Sequence, residues 1–168
     1  MNFYITSGTS DYMEKLVAKQ KKETLFLLHG QGNSVVLHES DKKSVFAVPR
    51  KFEVISGAGE LEQRGYFVFY NMPIISDDSP VFEKKISDLL ETFERDVTFI
   101  SYRFLRPVKE ETYILLTQWV GPASYEVWTN SNAYKNTWAA IVSGTQSSVQ
   151  KLFNASTYVT TYSAPPED

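Results

Sequence analysis

The chain has 168 residues, of which 42% are hydrophobic and 22% are charged, and its formal net charge at pH 7 is −3. This size suits one domain with a substantial core or two small ones, and a mildly acidic balance without a long basic run argues against nucleic acid as the partner. No apolar run approaches the ~18 residues that a membrane span needs, and the N-terminus lacks the regions of a signal peptide, so we expect a cytoplasmic protein without membrane insertion.

The residue types that carry strong chemistry are scarce. The absence of cysteine excludes a disulfide framework, a thiolate nucleophile and an iron–sulfur site. His29 and His38 are the two histidines, so a His-rich metal centre is not expected within one chain. Neither a G-x-S-x-G elbow nor a G-x-x-x-x-G-K phosphate loop occurs. If the protein is an enzyme, we expect a borrowed cofactor or a reactive substrate to carry the difficult step.

The first 65 residues predict a small α+β unit that ends in a polar connection around Leu61–Gly65. We therefore place a domain boundary between residues 1–65 and residues 66–168. The predicted elements are a strand at 2–6, a helix at Asp11–Lys22, strands at Thr24–His29, Ser34–His38 and Ser44–Val48, and a short helix or turn at Lys51–Ala58.

The second part predicts a β-α-β-β-α-β order, which is the ferredoxin-like arrangement of an antiparallel sheet with helices on one face. Its first helix begins at Ser79, with a capping hydroxyl followed by proline, and carries one apolar stripe. The strands are predicted at Tyr66–Met72, Ile100–Arg106, Thr112–Val120 and Thr157–Tyr162, and polar residues from Ser143 to Ser148 predict a loop.

All three tryptophans lie between Trp119 and Trp138, beside the end of a strand. Trp119 is typical of a core residue, whereas Trp128 and Trp138 suit either a core or a pocket. Ser131 is placed to cap a second helix that carries Tyr134, Trp138 and Ile141 on one face.

Asn71 lies in line with two aromatic residues on the Tyr66–Met72 strand. Because side chains alternate along a strand, Phe67, Phe69 and Asn71 share one face. The amide is either the polar group of an apolar pocket or a strand-end residue that bonds its own turn.

A collinear set of short motifs gives the chain a family resemblance over nearly its full length. The chain resembles the antibiotic biosynthesis monooxygenase (ABM) superfamily of dimeric α+β barrels, in particular the HmoB-type and Isd-type haem-degrading monooxygenases, and more loosely staphylococcal proteins of the TRAP type. The motifs are Tyr4–Gly8, Phe52–Ile55, Gly59–Glu60, Phe82–Glu83, Leu105–Pro107, Tyr113–Thr117, Trp119, Trp128, Ser131, Tyr134–Lys135 and Tyr158–Tyr162.

The resemblance implies an α+β, ferredoxin-like ABM domain with an extra N-terminal α+β domain packed against it. It implies that haem serves as substrate and cofactor, with O₂ and an electron donor opening the porphyrin ring and releasing iron. Asn71 and Trp128 are then the catalytic residues, and Tyr134 and Trp138 join them around the haem. The extra N-terminal half would cover the sheet that relatives use to dimerise, so a monomer is favoured over a homodimer.

One position departs from the family pattern. Trp138 stands where the resemblance places the axial histidine, and an indole has no lone pair for iron. The metal ligand is therefore unassigned, with Tyr134 as a weak candidate whose alternative role is packing. Two other functions remain open: a non-catalytic haem-binding or stress-signalling relative, and a cofactor-free ABM-type oxygenase that acts on a small aromatic substrate.

Overall fold

The computed structural model describes residues 1–143 and 157–166. The strands are β1 (Asn2–Gly8), β2 (Phe26–His29), β3 (Ser34–Ser40), β4 (Arg50–Ala58), β5 (Tyr66–Pro73), β6 (Ser101–Pro107), β7 (Thr112–Trp119) and β8 (Tyr158–Ser163). The helices are α1 (Ser10–Lys19), α2 (Ser79–Asp96), α3 (Pro122–Thr129), α4 (Asn132–Asn136) and α5 (Trp138–Ser143), and a 3₁₀ turn (Ser76–Asp78) precedes α2. None of the helices in these two ranges is long and apolar enough to cross a membrane.

The eight strands form one closed barrel in the order β1-β3-β2-β8-β5-β7-β6-β4, and every pair is antiparallel. Followed around the ring, the first four strands lie as β4-β1-β3-β2 and the last four as β8-β5-β7-β6. The two halves of the chain therefore repeat one ferredoxin-like strand order, and each supplies half of the barrel.

The two halves meet at two seams of unequal length. Strands β4 and β6 are paired through six residue pairs, whereas β2 and β8 are paired only at His29 and Ser163. The predicted α+β, ferredoxin-like class is confirmed. A separate N-terminal domain is not observed, because strands β1–β4 complete the same barrel, and the boundary after residue 65 stays a prediction.

Alternation along the strands divides the buried side chains into an interior set and an exterior set. The interior of the barrel is filled by Phe3, Ile5, Phe26, Leu28, Val35, Leu37, Phe52, Phe67, Phe69, Leu105, Ile114 and Leu116. Outside the barrel, helices α2–α5 cover the second half and α1 covers the first.

Helix α2 follows the predicted stripe. Phe82, Ile86, Leu90 and Phe93 are all buried, which contributes about 8 kcal/mol before entropy at ~2 kcal/mol per large side chain. The predicted cap at Ser79 is wrong, since Ser79 is the first residue of the helix and the N-cap position, Asp78, makes no side-chain capping bond.

Two predictions for the first half are wrong. Residues 44–48 contain bends rather than a strand, with Phe46 buried against the ring of His38, while Arg50–Ala58 is strand β4 rather than a helix or turn. The register of β4 shifts between Val54 and Ser56, which leaves Ile55 as an extra residue. Such a bulge interrupts the two-residue alternation by which a strand is recognised.

The predicted single helix after Ser131 is divided at Thr137, whose φ of −130° and ψ of −77° are not helical. Ser131 caps α4 as predicted, because its Oγ accepts a hydrogen bond from the amide of Tyr134 at 3.2 Å. The predicted loop over residues 144–148 and the last two residues of the chain lie outside the described ranges.

Candidate functional site

Seven aromatic residues gather on the outer face of β5 and β7, beneath helices α2–α5. We call this set the aromatic cluster. Strand β5 supplies Tyr70 because its even-numbered residues point away from the barrel interior, and the helices lay their rings over it. The members are Tyr70, Phe93, Trp119, Tyr125, Trp128, Tyr134 and Trp138.

Trp128 lies at the centre of the aromatic cluster. Its ring stacks on Trp119 at a centroid distance of 5.3 Å and makes an edge-to-face contact with Tyr134 at a centroid distance of 4.8 Å. It also contacts Phe93 at 5.0 Å and Trp138 at 6.1 Å. Contacts of this geometry each contribute about 0.5–1.5 kcal/mol beyond area burial, so the centre of the cluster is firmly packed.

Three tyrosine hydroxyl groups of the cluster lie close enough to influence one another's pKa. The hydroxyl oxygens of Tyr70 and Tyr125 lie 2.8 Å apart in a hydrogen bond. Burial is the main cause that raises the pKa of Tyr70, Tyr125 and Tyr134, and it brings the pKa of Tyr125 to about 12. These phenols are therefore protonated at neutral pH, which suits hydrogen bonding and disfavours a phenolate ligand for iron.

Two adjoining cavities open beside Trp128. The smaller has a volume of about 110 Å³ and the larger about 340 Å³. Ligand pockets typically measure about 300–1,000 Å³, so the larger cavity lies at the lower end of that range. The residues that line both cavities are Asp96, Val97, Trp128 and Ala133. The rest of the smaller cavity is lined by Leu89, Thr92, Phe93, Asn136, Thr137 and Trp138. The rest of the larger cavity is lined by Thr98, Ser124, Val127 and Ser131.

The structure brings together three of the four residues singled out from the sequence, namely Trp128, Tyr134 and Trp138. Asn71 lies on the opposite face of β5, which is the face that Phe69 turns into the barrel. It is 3% exposed, and its amide nitrogen donates to the carbonyls of Phe69 and Tyr158 and to the Thr160 hydroxyl at 3.1–3.3 Å. Asn71 thus ties β5 to β8.

The surroundings of Trp138 do not fit haem. Trp138 is 3% exposed, and its ring centroid lies 6.4 Å from those of both Tyr70 and Phe93, so it fills the space that an axial imidazole needs. The histidines of the first half are held by other groups. His38 Nε2 lies 3.1 Å from Glu23, and His29 Nδ1 lies 2.6 Å from the Ser34 hydroxyl.

Metal-binding groups do not gather elsewhere in the part of the chain that the structure describes. Within it, no three His, Asp or Glu side chains are grouped so as to hold a metal ion.

Sequence reasoning missed two residues that belong to the cluster. Tyr70 was overlooked because attention to Asn71 selected the other face of β5. Tyr125 precedes Trp128 by three residues on α3, and this spacing places two side chains on one face of a helix. The spacing is visible in the sequence, so Tyr125 could have been predicted.

Comparison with known proteins finds a family match over the range that contains the aromatic cluster. The family model described as antibiotic biosynthesis monooxygenase matches residues 66–140, which include the whole aromatic cluster. A curated relative, the signal transduction protein TRAP of Staphylococcus aureus strain MSSA476, is 27% identical over 133 residues, covering 79% of this chain and 80% of the relative. The same protein of strain MRSA252 is 28% identical over the same span.

Two solved structures match nearly the whole chain. The structure of a major regulator of staphylococcal pathogenesis has a TM-score of 0.86 and 22% identity, covering 99% of this chain and all of that one. A haem-degrading enzyme from Listeria monocytogenes has a TM-score of 0.72 and 18% identity, covering 98% of this chain and all of that one. At these identities the likeness establishes the fold alone. Residues 66–140 are therefore similar to the antibiotic biosynthesis monooxygenase family, and the chain has the fold of these two solved structures.

Proposed function

We propose that this protein is a non-catalytic, signalling-type relative of the ABM monooxygenases that binds a small aromatic molecule beside Trp128. The observation that carries the proposal is the packing of Trp138, which is buried among aromatic rings at the position that the family resemblance assigns to the ligand of haem iron. An indole donates one N–H group and offers no lone pair to a metal.

The size and lining of the larger cavity support a small ligand. A volume of about 340 Å³ suits a molecule of one or two rings. Trp128 contributes part of its indole to the lining, and Val97 and Val127 add apolar contact. The hydroxyl groups of Ser124 and Ser131 lie at the same cavity. Each hydroxyl donates its proton to a backbone carbonyl and accepts one backbone amide, which leaves one lone pair to accept a hydrogen bond from a ligand.

The chemistry of the cluster supports binding without turnover. A cofactor-free oxygenase needs a base beside its substrate, and the phenols of the cluster are unsuited to that role because burial raises their pKa values and keeps them protonated. The Asp96 carboxylate, which lines both cavities, is assigned to ligand binding in this proposal. The curated relatives bear the name of a signal transduction protein, which is consistent with a binding function.

Haem degradation is the second candidate. It is favoured by the full-length likeness to the haem-degrading Listeria enzyme and by the presence of Trp128, the tryptophan that the resemblance assigns to ring opening. On this reading the protein opens the porphyrin with O₂ and electrons from a donor, releases iron, and requires an axial ligand other than residue 138.

Absorbance spectroscopy separates the two candidates. The purified protein is titrated with haemin, and a reductant is then added in air. We expect that the protein does not shift the Soret band during the titration and then lose it after the reductant is added. A Soret band that shifts on binding and then decays would establish haem degradation instead.

Calorimetry with 2-phenylethanol tests the pocket directly. We expect saturable binding that Trp128→Leu abolishes. The matched control is Tyr12→Leu, which removes an exposed ring of helix α1 and should leave binding unchanged.

A further inference from the structure

We infer that the pocket beside Trp128 selects an aromatic ligand that carries a positive charge, such as an aromatic amine, over neutral and anionic aromatic molecules of the same size. This inference rests on the proposed function and names the class of ligand. It follows from the charges that surround the two cavities.

The first observation is the charge of the lining. Among the described residues that line either cavity, Asp96 is the one charged side chain, and it lines both. No lysine or arginine of the described ranges shares that lining. A ligand carboxylate would therefore meet a like charge without a compensating cation, whereas an ammonium group would meet an opposite one.

The second observation is the orientation of α2. This 18-residue helix ends at Asp96, with Val97 as its C-cap, and Val97 lines both cavities. The C-terminus of a helix carries a partial negative charge from its unpaired carbonyl groups. The helix end and the Asp96 carboxylate therefore add to each other at one side of the pocket.

The neighbouring cation does not cancel this field. Arg95 Nε lies 3.1 Å from Asp96 Oδ1, but the two side chains are 74% and 50% exposed. An ion pair in that setting contributes little and is readily rearranged by solvent and salt. A ligand ammonium group in either cavity would compete with Arg95 for the Asp96 carboxylate, which lines both cavities.

The indole adds a smaller preference of the same sign. A tryptophan ring attracts cations with about 0.5–2 kcal/mol, but Trp128 is 5% exposed and stacks on Trp119, so only a small part of its ring meets a ligand. Asp96, which lines the same two cavities, therefore carries most of the expected selection. The two carboxylate groups of haem are disfavoured by the same pattern.

Three probes of similar size, each with eight carbon atoms, test the selection by calorimetry: 2-phenylethylamine, 2-phenylethanol and phenylacetate. We expect the amine to bind about three- to tenfold more tightly than the alcohol, and the carboxylate to bind most weakly. The preference for the amine should shrink as salt is added, because exposed charges are screened.

Substitution of the carboxylate supplies the control. Asp96→Asn should reduce the preference for the amine several-fold, and it should weaken binding of the amine more than binding of the alcohol. Asp88→Asn changes the same charge on the same helix, away from both cavities, and should preserve the preference. Equal binding of amine and alcohol by the wild type, or a preference that Asp96→Asn leaves undiminished, overturns the inference while the proposed function stands. If none of the three probes binds, the proposed function fails as well.

Discussion

Replacement of Trp138 by histidine tests the central reasoning about haem. The substitution places an imidazole at the position that the resemblance assigns to the axial ligand, and it removes an indole from the aromatic cluster. We therefore expect the variant to bind haem iron more readily than the wild type and to be less stable, because it gains a group that binds iron and loses packing.

The expected loss of stability follows from the surroundings of the ring. Trp138 is 3% exposed and contacts Trp128, Tyr70 and Phe93 at centroid distances of 6.1–6.4 Å. Truncation of a buried tryptophan to alanine costs about 3–5 kcal/mol, and an imidazole refills part of the space. Its ring nitrogens, however, enter an apolar environment at about 1–3 kcal/mol when they lack partners. We therefore expect Trp138→His to lower the free energy of unfolding by about 2–4 kcal/mol.

Urea denaturation measures the loss of stability, and haemin titration measures the gain of a ligand. We expect the Soret band to shift with Trp138→His and to remain that of free haemin with Trp138→Phe, which keeps an aromatic ring without a lone pair for iron.

A wild-type protein that binds haemin tightly, with no spectral change on Trp138→His, would refute this reasoning. Iron would then be held from another direction, and Tyr134→Phe, His29→Ala and His38→Ala would identify the ligand by loss of the Soret shift.

Three further predictions concern stability and assembly. The Arg106 hydrogen bond holds the pKa of Glu83 below its ordinary value of 4.5, so this carboxylate stabilises the fold above that pH and the effect is lost as the pH falls through the lowered value. Glu83→Gln should lower the unfolding free energy by about 1 kcal/mol at neutral pH but not in acid, as urea titrations at several pH values will reveal. Asn71→Ala should destabilise the protein by about 1–3 kcal/mol in the same assay, because it leaves buried acceptors unpaired; a loss of ligand binding instead would place Asn71 in the site. Light scattering should give a monomer of 19.2 kDa, and deletion of residues 1–60 should cause dimerisation or aggregation; a full-length dimer would contradict this.

Elements with an uninterrupted period were predictable from the sequence. Strand β5, helix α2 and strand β7 each keep their alternation or their apolar stripe, and the structure places them within one or two residues of the prediction. Strand β4 was not predictable in this way because the bulge at Ile55 breaks its alternation. The break at Thr137 likewise leaves no signal, since threonine is tolerated inside helices.

Part of the candidate site was predictable from the sequence. Trp128, Tyr134 and Trp138 do contact one another or the same rings, although they lie on three short helices rather than on the one helix predicted after Ser131, so the family resemblance and not helical spacing grouped them. Their role in binding stays a prediction. For β5, both faces are buried and both carry aromatic residues, so the pattern does not reveal which face meets the helices. Asn71 was therefore placed with the tryptophans, although the position next to it, Tyr70, is the one that touches them.

The repeated strand order has a consequence for how many ligands one barrel accepts. A barrel assembled from two identical chains carries every pocket twice, and a substitution in one copy is imposed on the other. Here the halves lie on one chain and differ: between β3 and β4, residues 41–49 contain no helix in the described structure, where the second half has α3–α5. Those residues of the first half therefore supply no counterpart of the helices that carry Tyr125, Trp128, Tyr134 and Trp138, so we expect a stoichiometry of one ligand per barrel and a saturation curve without cooperativity.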